Sequence, residues 1–70
     1  MKTDADLKRD VTAELVWDPV VKSMAIGVAV KDGVVTLSGT VHSWQERDAA
    51  QGVAWSAPGV LAVVDELRVG

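Results

Sequence analysis

Acid–base and nucleophilic chemistry need a base beside a proton donor, and this chain offers one histidine, His42, and no cysteine. Neither carboxylates nor thiols stand at ligand spacing around His42, so it reads as a surface histidine at a strand end rather than a metal ligand. The adjacent Ser43 is taken up by helix capping. Gly33 and Gly39 do not form a phosphate-cradling loop that opens a helix. The expectation is therefore a non-enzyme, with no catalytic residue, no cofactor and no metal.

What remains is suited to binding. Trp44 and Trp55 lie eleven residues apart, close to three helical turns, so on a helix they share nearly one line. That line runs roughly opposite Ala50, Val53, Ala54 and Ala57, which would turn both indoles outward, flanked by Asp48 and Gln51. Indole suits membrane headgroups and protein contacts, where an apolar ring and a wet N–H are both satisfied. The alternative is internal packing, with Trp44 folded over the helix start and Trp55 covering the last turn near Pro58. Arg47 and Lys31 are the cations that would meet phosphates beside the indoles. The third tryptophan, Trp17, sits beside Pro19 and reads as a plug over the open end of the core.

These residues must be placed by a small scaffold. The chain has 70 residues and a formal charge of −3, and 49% of it is hydrophobic, largely Val and Ala. A single domain of this size buries only about 60% of the surface its unfolded chain exposes, and without cysteine it relies on packing alone. The acidic balance gives no general attraction to nucleic acid, so no nucleic-acid partner is expected. The polar opening MKTDADLKRD is no signal peptide, and no apolar run approaches the roughly 20 residues that span a bilayer. The chain reads as soluble and untargeted, or as one module of a longer protein.

The stretch Met24 to Val41, MAIGVAVKDGVVTLSGTV, organises the rest. Asp32-Gly33 between alternating apolar runs predicts a hairpin with strands at about 24–31 and 34–41, because a type I′ turn needs two positive φ angles. With Lys31 opposite Val34, the pairs Val30/Val35, Val28/Leu37, Ile26/Gly39 and Met24/Val41 form one apolar face. Ala29/Thr36, Gly27/Ser38 and Ala25/Thr40 form a thin reverse face. Gly39 leaves a gap for Ile26 or a helix, or marks a bulge.

Thr3 or Asp4 caps a first helix at about 4–17, with Asp4/Lys8 as an i,i+4 pair and Leu7, Val11 and Leu15 as its apolar stripe. Asp18-Pro19 ends it. Ser43-Trp44-Gln45-Glu46 matches a capping box, in which Glu46 reaches back to Ser43, opening a second helix at about 44–56. Pro58-Gly59 closes that helix, and a strand follows at about 62–69. Asp65 contradicts the pattern there, sharing a face with Val63 and Leu67; a bulge, or an edge position where it caps backbone N–H groups, would resolve it. The fold class is α+β, an αββαβ two-layer sandwich with a mixed three-stranded sheet and both helices on one face.

At these residues the chain resembles the BON domain, a module named for bacterial osmotic-stress-induced and nodulation proteins. The likeness covers nearly all of it. The pattern V-x-V-x-D-G-x-V-x-L-x-G-x-V, from Val28 to Val41, joins the SWQERDAA helix opening and the downstream PGVLAVVDELRV. The resemblance implies an αββαβ fold, no catalysis, and binding to phospholipid membrane surfaces or to proteins at the envelope, with periplasm or envelope as the compartment and cytoplasm as the alternative. Many relatives carry an export signal and several copies of the domain, whereas this sequence has neither. Two partners follow: a phospholipid surface met by Trp44, Trp55, Arg47 and Lys31, or another protein or BON domain docked on the open sheet face or edge. In either case Asp32, Gly33, Gly39, Pro58 and Gly59 serve turns and packing.

Overall fold

Thr3 starts the fold by capping its first helix. In the computed structural model, which describes residues 2–21 and 26–70, the Thr3 hydroxyl accepts the Asp6 N–H at 3.1 Å and the Asp6 carboxylate accepts the Thr3 N–H at 3.2 Å. Helix α1 spans Asp4–Trp17. The Thr3 backbone N–H holds the Asp6 carboxyl below the usual aspartate range, with help from the Thr3 side chain and the nearby charge of Arg9. A depressed carboxylate stabilises above its unfolded pKa, and that contribution disappears as pH falls through the folded value. The melting-temperature gap between wild type and Asp6→Ala should therefore be full above about pH 5 and shrink below about pH 4. A gap unchanged in strong acid would show that the carboxylate is not its source.

Asp4 departs from its expected pairing with Lys8. Its carboxylate accepts the N–H of Asp32 at 3.0 Å and of Gly33 at 3.3 Å, tying the start of α1 to the hairpin turn 28 residues away. Two converging turn amides are better fixed partners than the mobile ammonium of an exposed lysine. The turn itself has φ of 52° at Asp32 and 80° at Gly33, the double positive φ its sequence predicts.

Strands β1, Gly27–Lys31, and β2, Val34–Val41, pair antiparallel in the expected register, from Lys31↔Val34 to Gly27↔Ser38. Ile26 precedes the strand, and the pairings proposed for Met24 and Ala25 fall outside the described residues. Helix α2 spans Trp44–Ser56, and β3, Ala62–Val69, pairs parallel to β2, giving the sheet order β1-β2-β3. The element order and the mixed sheet are those the sequence predicts.

Both helices cover one face. Leu7, Val11 and Leu15 from α1 and Ala50 and Ala54 from α2 are buried, as are Val35, Leu37, Val41 and Leu67 on the sheet face beneath them. Alanines on α2 allow a close approach to the sheet. On the reverse face Gly27, Ala29, Ser38, Val64, Glu66 and Arg68 are exposed. Trp17 is not a plug: it is 83% exposed, beside an exposed Val16. It stands two residues beyond Leu15, about 200° around the helix, so it points away from the stripe that α1 buries.

Candidate functional site

Ser43 places the candidate site by starting α2: its hydroxyl accepts the Glu46 N–H at 3.1 Å. The reciprocal half of the expected capping box is missing, because Glu46 turns inward and is only 4% exposed. It lies one and two helical repeats before Ala50 and Ala54, so the buried face of α2 takes it along. Its Oε1 has no hydrogen-bond partner among the described residues. The positive end of the helix, where it sits, offsets part of that cost.

The outer side of α2 carries the two indoles. Trp44 is 65% and Trp55 54% exposed, so neither packs inside the domain. The Arg47 guanidinium carbon stands 5.0 Å from the centroid of the Trp44 ring, within cation–π range. Arg47 also forms an ion pair with Asp65 of β3. Gln51, one turn further along α2, donates to the same carboxylate at 2.6 Å, and the other carboxylate oxygen of Asp65 accepts the Leu67 N–H at 2.9 Å.

This network answers the contradiction at Asp65. The register of β3 runs unbroken from Ala62 to Val69, so no bulge is present. Asp65 lies on an edge strand and caps a backbone N–H, and α2 supplies a cation and an amide besides. The polar partners were readable in principle, since Arg47 and Gln51 are spaced i,i+4, but only the packing of α2 over β3 shows which residue they meet.

Arg47 is thus engaged by both Trp44 and Asp65. Lys31 ends β1 on the face away from the helices, in register with Val34, so the structure does not bring it to the tryptophan line. Among the turn residues, Gly39 has φ of 116° and Gly59 of 95°, and a Cβ on Gly59 would stand 3.3 Å from Leu7 Cδ2. Pro58 follows Ala57, the buried residue that closes α2. The sequence reading passes over Val16 and makes Trp17 a plug, though the helical spacing of both from Leu15 carries the signal of their exposure. Among the described residues no group of three or more His, Cys, Asp or Glu side chains is placed to hold a metal ion. None of the described helices is long and apolar enough to cross a membrane.

The chain is similar to known proteins over most of its length. Osmotically-inducible protein Y of Escherichia coli (strain K12) is 37% identical over 65 residues, covering 93% of this chain and 32% of that protein. The chain therefore spans about a third of the length of this curated relative. The family model of the BON domain matches residues 3–70. Nearly the whole chain is matched, across both helices and all three strands, and the chain belongs to the BON domain family.

Proposed function

We propose that this chain is a non-catalytic binding module that associates with phospholipid membrane surfaces through the outer side of α2, in an osmotic-stress or envelope-related protein. The observation that carries the reading is the exposure of both Trp44 and Trp55 along one helix. The name of the curated relative supports the osmotic-stress setting. Periplasm or envelope is the compartment in which such a module would meet lipid.

Because Arg47 is already paired and Lys31 is remote, the contact rests on indole insertion more than on charge. Two partly inserted indoles bury about 100 Å², which at about 25 cal/mol per Å² comes to ~2.5 kcal/mol. The Trp44→Ala/Trp55→Ala variant should therefore lose about fiftyfold in partitioning to phospholipid vesicles. The check is co-sedimentation with anionic and zwitterionic vesicles at low and physiological salt. Tryptophan emission is best read in a Trp17→Phe background, since the exposed Trp17 would otherwise mask the α2 signal. Pelleting with a blue shift that the double variant abolishes supports the proposal. A folded wild type that neither pellets nor shifts overturns it.

A second reading is docking of a sister domain on the uncovered sheet. It is favoured by the exposure of Gly27, Ala29 and Ser38, a surface of small side chains that can accept another layer.

A further inference from the structure

The outer long side of β3 pairs with no strand among the described residues, since β2 is central and β3 lies at one end of the sheet. The Gly70 N–H donates to the Val41 carbonyl at 3.0 Å. Amides alternate in direction along a strand, so those of Glu66 and Arg68 also face β2, whereas those of Val63, Asp65, Leu67 and Val69 face outward. One of these outward amides is not open. The Leu67 N–H is capped at 2.9 Å by Asp65, whose carboxylate is itself fixed by Arg47 and Gln51 from α2. Water alone would satisfy a solvent-facing amide, so a carboxylate held by two side chains marks this edge as one that is kept closed.

We propose that β3 is a self-pairing edge closed by Asp65, and that its partner is a second copy of this chain. With the cap displaced, the two β3 strands join antiparallel about a two-fold axis through Leu67, which pairs with its own counterpart, and the two sheets become one of six strands. The charges on the uncovered face select this register. It sets the exposed Glu66 directly opposite Arg68 of the second copy, and Arg68 opposite Glu66, at the closely spaced non-hydrogen-bonded positions where cross-strand side chains interact most. Shifting the centre to Glu66 would oppose two glutamates, and shifting it to Asp65 would oppose two aspartates. The outward amides then pair Leu67 with Leu67 and Asp65 with Val69. The inference extends the docking reading to a named edge and register, and it does not depend on lipid binding by α2.

Sedimentation velocity without lipid tests it. Asp65→Ala frees two Leu67 amides per dimer and should tighten self-association about tenfold or more relative to wild type. In that background Glu66→Arg sets arginine against Arg68 and should return the chain to monomer, whereas adding Arg68→Glu as well should restore the dimer. Should Asp65→Ala fail to fold with Arg47 left unpaired, Arg47→Met/Gln51→Leu releases the carboxylate by removing its holders, and self-association should rise in the same direction. A folded releasing variant that remains as monomeric as wild type overturns the proposal. So does a dimer indifferent to Glu66→Arg, because it would be using another surface.

Discussion

Leu37→Ala is expected to remove about 3 kcal/mol of folding stability, the usual cost of emptying a fully buried leucine site. Leu37 has no exposure, sits on the central strand, and stands in register with Val28 on one side and Asp65 on the other. Neighbours on three strands are fixed by backbone pairing and two helices lie above them, so the site has little freedom to collapse. A chain of this length has a total stability of roughly 4–10 kcal/mol, and one truncation would consume a third or more of it. Urea unfolding followed by circular dichroism measures the loss as a lower midpoint at unchanged slope. A loss below about 1 kcal/mol would mean that the core relaxes around the gap and is not the close-packed layer described here.

Gly39→Val should cost about 2–3 kcal/mol, an amount that backbone strain alone accounts for. At φ of 116°, Gly39 occupies backbone space that a β-branched residue enters only under strain. Gly39 stands in register with Leu67 of β3, one residue beyond the last β1 pair at Ser38, so the flanking pairings hold the strand against a shift that would relieve it. The contrast lies in α2, where Gly52 has ordinary helical φ and a Cβ there would meet nothing within 4 Å. Gly52→Ala should accordingly stabilise by about 0.5–1 kcal/mol. Thermal melts of the two variants should move in opposite directions. If Gly39→Val melts with wild type, the backbone at this position is not the constraint its φ implies.

Local chemistry carried most of the fold into view. Asp32-Gly33 with its flanking alternation specifies turn and register together, and Thr3 and Ser43 specify where both helices begin. The misreadings came where one residue served two patterns. Glu46 satisfies the capping-box spacing and the inward stripe of α2 at once, and burial of the stripe decided its direction. Trp17 reads as a plug from its place beside Pro19, whereas its angle on α1 decides for solvent. Asp65 is not among these, since an edge position with a capped backbone N–H is one of the two readings its sequence offers; what a strand pattern does not record is the helix above. Its partners Arg47 and Gln51 lie on another element, and their approach depends on how α2 crosses β3. The candidate site shows the same division, with the shared line of Trp44 and Trp55 legible from spacing alone and the engagement of Arg47 visible only in three dimensions.

The two neighbours of β2 reach it by unequal routes, and this sets a timetable for assembly. β1 is delivered by a two-residue turn, a local pairing of the kind that forms within microseconds, whereas β3 reaches β2 across the whole crossover that contains α2. Without β3 and α2 the central strand would have a bare flank, and Leu37 and Val41 would lack the cover that Leu67, Ala50 and Ala54 provide. The pairing of β2 with Ala62–Val69 is thus the contact of longer sequence separation, and topology makes it the slower of the two to form.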